Sequence, residues 1–129
     1  INPAIEAHTH RYLKTAAEES KFGFSIPDAQ KAIREMNTFG RIRLIGLHLH
    51  IGSQITETAP YLKALRKVLP IVDYARLMGH PVEYLDIGGG FGIFYKGVEA
   101  KPARVFGEVI MPALFALQRC TRILMAGIG

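Results

Sequence analysis

Cysteine is almost missing from this chain. Cys120 is the only one among 129 residues, so no internal disulfide framework can form, and a reducing, cytoplasmic setting is the default. Beside a strand-like segment, that lone thiol reads as a small buried apolar side chain rather than a reactive group. Long apolar runs are missing too. None approaches the roughly 18 residues a membrane span requires, so no membrane partner is expected. Ile1-Asn2-Pro3 offers neither a start methionine nor a signal peptide and reads as a cut through a longer chain. Ala126-Gly127-Ile128-Gly129 likewise stops just after a strand-like stretch. No internal repeat, low-complexity tract or domain boundary is evident.

What remains is the composition of a globular domain: 49% hydrophobic and 21% charged residues, enough for one core. The formal charge is +5, but Lys14, Arg34, Arg41, Arg43, Lys63, Arg66, Lys67, Arg104, Arg119 and Arg122 are scattered. A nucleic-acid footprint needs such residues gathered on one face, so no nucleic-acid partner is expected. An anionic small molecule suits the charge equally well.

Helix and strand patterns alternate. Ser25-Ile26-Pro27-Asp28 is a helix start, with proline in the first turn and an acid near the positive end of the dipole. That helix should run through Ala29, Ala32, Ile33 and Met36 and stop at Gly40. A strand is expected over 42–50. A second helix follows over about 59–78, with a kink or break at Pro70, and Gly79 ends it. The next strand spans 82–87. A third helix covers about 103–118, interrupted at Pro112, and 122–125 is a last short strand. This order calls for parallel strands joined by right-handed helical crossovers.

Two segments carry residues that a plain strand does not need, and both stand where a strand hands over to a loop. That carboxyl edge is where α/β folds bind ligands. In Gly46-Leu47-His48-Leu49-His50-Ile51-Gly52-Ser53-Gln54, His48 and His50 fall on one side of an extended chain. Three readings are open: a metal pair whose nearest downstream carboxylate is Glu57, histidines hydrogen-bonded inside a barrel, or a flat ring against a flat cofactor with Ser53 and the Gly52 turn facing a phosphate. In Asp86-Ile87-Gly88-Gly89-Gly90-Phe91-Gly92, three glycines after a strand let the backbone approach a ligand and turn its N–H groups toward an anion. Ile93-Phe94-Tyr95-Lys96-Gly97 follows, so this is not a dinucleotide-binding fingerprint. A simple turn and a phosphate cradle both fit the glycines alone. The histidine segment on the same edge favours the cradle.

At these residues the sequence resembles the alanine-racemase-like, fold-type III pyridoxal-phosphate decarboxylases, and within them the diaminopimelate decarboxylases. Four phrases match in order: Ile1-Asn2-Pro3 with His8-Thr9-His10, Ser20-Lys21-Phe22-Gly23, His50-Ile51-Gly52-Ser53-Gln54, and Leu85-Asp86-Ile87-Gly88-Gly89-Gly90-Phe91-Gly92 followed by Tyr95. The resemblance implies roughly half of a (β/α)8 barrel, with residues 1–129 forming one partial pyridoxal-phosphate-binding domain. It also implies decarboxylation of meso-2,6-diaminopimelate to L-lysine, an amino-acid substrate, and a homodimeric parent. By the same resemblance His50 stacks on the pyridine ring, Ser53 hydrogen-bonds the phosphate, and Gly88, Gly89 and above all Gly90 hold it by backbone N–H groups. No metal is implied, and His48 is structural. Relatives acting on ornithine, arginine or carboxynorspermidine share the barrel, and a non-catalytic phosphate-binding half-barrel is the alternative of another class.

Three departures qualify the resemblance. The Schiff-base lysine of the family lies upstream of residue 1, and Lys21 does not replace it. Ala126-Gly127-Ile128-Gly129 stands where the family has a glutamate–proline–glycine–arginine segment, and the C-terminal β domain is missing. The chain by itself is therefore expected not to turn over substrate.

Overall fold

The computed structural model describes residues 1–5, 22–94, 97, 99–115 and 122–124. The expectations placed on His8, His10, Ser20, Lys21, Tyr95, Cys120 and 125–129 lie outside that set.

Helix α1 spans Ile26–Met36. The Ser25 hydroxyl oxygen accepts the Asp28 N–H at 3.2 Å, which satisfies one of the open donors of the first turn. The helix stops before Gly40, contrary to expectation. The Asn37 and Thr38 N–H groups turn back onto Arg34 and Glu35 carbonyls at 3.3 and 2.9 Å, the Thr38 hydroxyl donates to the Glu35 carbonyl, and Asn37 Nδ2 donates to Met78 O. Polar side chains at the end thus compete with the next helical bonds and win.

Strand β1 is Gly46–His48, far shorter than the expected 42–50, and strand β2 is Tyr84–Asp86. Strand length is limited by the partner: β1 can ladder only where β2 runs beside it. Helix α2, Ala59–Leu77, joins them and runs through Pro70 without a break, one of the two outcomes expected there. Pro70 sits on the exposed side, as does Arg66 one turn earlier, so the carbonyl that loses its partner lies toward water rather than the core. Gly79, with φ +91°, terminates α2 as expected. Helix α3, Ala103–Phe115, likewise continues through exposed Pro112 and leads to β3, Arg122–Leu124.

The strands form one parallel sheet in the order β1-β2-β3, with Leu47 beside Leu85 and Leu85 beside Ile123. The alternating α/β reading therefore holds. Leu47, Leu49, Leu85 and Ile87 are buried on one face against the α2 stripe of Tyr61, Ala64, Leu65, Val68, Val72 and Ala75. That stripe repeats at the 3–4 residue spacing of a helix packed on one side. Among the described residues, no helix is long and apolar enough to cross a membrane.

His80, 7% exposed, ties α1 to the turn after α2 through Nε2 and the Ile33 carbonyl at 3.1 Å. His80→Ala is expected to destabilise the fold by about 1–3 kcal/mol, because a buried acceptor loses its partner. Chemical denaturation followed by circular dichroism measures this, and an unchanged midpoint would contradict it.

Candidate cofactor site at the carboxyl edge of the sheet

Because β1 and β2 are parallel, residues 49–54 and 87–92 leave the sheet at the same edge. Backbone bonds then fasten the two segments together. The Leu49 N–H donates to Asp86 O at 2.9 Å, the Ile55 N–H to Gly90 O at 2.8 Å, and the Gly92 N–H to Ile55 O at 2.8 Å. The Gln54 side chain adds a two-point clamp on Ile93: Oε1 accepts its N–H at 3.0 Å and Nε2 donates to its carbonyl at 3.3 Å.

The histidine and glycine segments are therefore in contact. A methyl group built on Gly88 would fall 2.5 Å from the Leu49 carbonyl oxygen and 3.1 Å from His50 Nδ1. One built on Gly90 would fall 1.8 Å from the Gly52 oxygen and 3.3 Å from Ser53 Cα. Only glycine permits backbone to lie on backbone this closely, and both residues also have positive φ, +72° and +84°. His50 and Ser53 are exposed at this edge. All five residues singled out from the sequence thus meet in one place.

Their donors are not equally free. The Gly88 N–H, expected to face an anion, donates to Asp86 Oδ1 at 2.8 Å. Asp86 Oδ2 lies 3.0 Å from His48 Nδ1, so the carboxylate braces the turn from both oxygens. His48, an exposed side chain, is paired there through Nδ1. Gly89 and Gly90 have no hydrogen bond to their N–H groups among the described residues. Among the described residues, no three His, Cys, Asp or Glu side chains are grouped to hold a metal.

Behind the glycines lies an aromatic cluster that sequence reading overlooked. Tyr61 stacks on Phe91 with centroids 5.1 Å apart and meets Phe106 edge-on at 5.6 Å, while Phe91 and Phe106 stand 4.9 Å apart. The Tyr61 hydroxyl donates to the Gly89 carbonyl at 2.8 Å. One clue was present: a phenol on an otherwise aliphatic helix stripe needs a buried partner for its oxygen.

Burial pushes the Tyr61 phenol up to about 12 from its ordinary 10.0, because the phenolate would be stripped of water. The folded state holds this proton more tightly than the unfolded state does. Its stabilising contribution is thus complete below pH 10 and is lost as pH climbs toward 12. In an ultraviolet titration, one of the five tyrosines is expected to ionise near pH 12, and Tyr61→Phe should remove that late step. A titration of the parent in which every tyrosine ionises near 10 would contradict it.

An exposed imidazole, a serine hydroxyl and two unbonded glycine N–H groups on one edge suit a flat, phosphate-bearing cofactor. The chain's relatives carry such a cofactor in their family description. Residues 1–125 match the family described as "Pyridoxal-dependent decarboxylase, pyridoxal binding domain". The diaminopimelate decarboxylase of Aquifex aeolicus is 40% identical over 103 residues, covering 80% of this chain and 24% of that protein. That of Staphylococcus aureus is 43% identical over 105 residues, covering 79% of this chain and 24% of its own. The crystal structure of diaminopimelate decarboxylase from Helicobacter pylori complexed with L-lysine superposes with a TM-score of 0.82 at 31% identity, over 97% of this chain and 31% of that one. The chain therefore spans about a quarter to a third of the length of these relatives, and its parallel α/β units are a segment of their barrel. With residues 1–125 matched and the phosphate-suited edge in place, the chain belongs to the pyridoxal-binding domain family of the pyridoxal-dependent decarboxylases.

Proposed function

We propose that the protein bearing this chain decarboxylates meso-2,6-diaminopimelate to L-lysine and carbon dioxide, and that this segment supplies one side of its cofactor site. The observation that carries the reading is the seating of the His50–Ser53 segment on the Gly88–Gly90 turn, in a chain whose relatives bear the diaminopimelate decarboxylase name. When bound, pyridoxal phosphate supplies an electron sink for the pair left behind by departing carbon dioxide.

This chain's residues bind and orient. His50 would hold the pyridine ring by stacking, a contact contributing on the order of 0.5–1.5 kcal/mol beyond its buried area. The Ser53 hydroxyl and the Gly89 and Gly90 N–H groups would hold the phosphate as donors. Gly88 shapes the turn, its own donor being held by Asp86. Asp86 and Gln54 keep the two segments in register, which protects the geometry on which orientation depends. We further propose a homodimer, as the family resemblance implies, in the reducing cytoplasmic setting that the lone cysteine favours; light scattering tests the dimer.

The deciding experiment is a carbon dioxide release assay on the full-length protein loaded with pyridoxal phosphate, comparing meso-diaminopimelate with ornithine, arginine and carboxynorspermidine. The expected result is release from meso-diaminopimelate, with kcat/KM at least about 100-fold above the others, near 2.7 kcal/mol of discrimination. Preference for another substrate would move the protein to a sister activity. Tight cofactor binding without release from any of the four would make it a binding module.

A further inference from the structure

The geometry points to Tyr61 as a positioning residue that aims the Gly90 N–H at the cofactor phosphate, an inference that rests on the cofactor site proposed above. The Gly89–Gly90 peptide is flanked by glycine on both sides, so local sterics give almost no preference between its two flipped orientations. Something else must hold it. Tyr61 is 1% exposed, its ring packs against both Phe91 and Phe106, and its hydroxyl donates to the Gly89 carbonyl oxygen at 2.8 Å. That bond draws the carbonyl toward the helix layer. In a planar trans peptide the following N–H points the opposite way, so the Gly90 donor faces away from α2. Gly52 and Ser53 lie against Gly90 itself. A carbonyl that accepts a hydrogen bond also polarises its own peptide, which makes the N–H a better donor to an anion.

Remove the hydroxyl and the carbonyl becomes a buried acceptor without a partner, which the peptide can relieve by turning over. The N–H would then leave the anion. A packing role alone would affect any ligand equally, whereas the positioning role concerns only the phosphate.

The test compares binding of pyridoxal phosphate with binding of pyridoxal, which lacks the phosphate, to the cofactor-free full-length protein. Wild type, Tyr61→Phe and Val72→Ala are measured by fluorescence quenching, each with its thermal midpoint. Val72 is fully buried in α2, three turns from Tyr61, and controls for lost stability. Tyr61→Phe is expected to weaken pyridoxal phosphate about tenfold, the size of one charge-assisted hydrogen bond, while pyridoxal changes less than about twofold. Val72→Ala should lower the midpoint and leave the ratio of the two affinities unaltered. Equal weakening of both ligands by Tyr61→Phe, or an unaltered ratio, would overturn the inference. If the wild type itself fails to prefer the phosphorylated ligand, the cofactor-site reading fails first and the inference falls with it.

Discussion

Gly90→Ala is expected to weaken pyridoxal phosphate binding by more than about 100-fold, beyond 2.7 kcal/mol, and to lower the thermal midpoint as well. Two effects add. The first is conformational: at φ +84° an L-residue pays about 1–2 kcal/mol that glycine does not. The second is steric and larger. The new methyl would fall 1.8 Å from the Gly52 oxygen, 2.9 Å from its carbonyl carbon and 3.3 Å from Ser53 Cα. All three are atoms of the backbone or of its Cα trace, so no rotamer change relieves them. The 50–54 segment has to lift away, which breaks the Ile55 N–H to Gly90 O bond and separates Ser53 from the glycine turn.

Gly79→Ala isolates the first effect. Gly79 has φ +91°, yet a methyl there meets nothing within 4 Å. It should cost about 1–2 kcal/mol in stability and leave cofactor affinity within a factor of about two. If Gly90→Ala binds as well as Gly79→Ala does, the two segments do not form one site.

Phe106→Ala should produce the largest loss of stability, about 3–5 kcal/mol. Phe106 is fully buried and is the residue through which α3 touches both Tyr61 and Phe91. Truncation leaves a cavity at the junction of α2, α3 and the loop after β2, and the cluster has no second aromatic on α3 to refill it: Phe115 is exposed. Against a typical domain stability of about 5–15 kcal/mol, such a loss is a large share of the whole. Urea denaturation followed by far-ultraviolet circular dichroism reads it directly. A change under about 1 kcal/mol would mean that α3 is held elsewhere.

How much of this was legible beforehand differs from residue to residue. The start of α1 could be read because Ser25 caps a donor three residues away, an interaction local in the chain. Gly79 marked the end of α2 for the same reason. Gly40 misled because the Asn37 side chain reaches Met78, a partner 41 residues on. Pro70 did not break α2 because a helix tolerates a missing bond where its carbonyl faces water, and which side faces water is a matter of packing.

The cofactor edge divides along the same line. By itself the sequence determined the alternation of helix and strand and the two motifs at strand ends, since each follows from dihedral preference, periodicity or short-range bonding. Only the tertiary structure decided which residues of the two motifs meet and what lies behind them. Asp86 took the Gly88 N–H locally, two residues away, whereas parallel pairing of β1 with β2 brought His50 to Gly88 and Ser53 to Gly90, and the covering helix placed the Tyr61 phenol beneath Gly89. The latter outcomes depend on contacts between residues tens of positions apart, whose closure entropy is repaid only when the whole sheet and its covering helices form together.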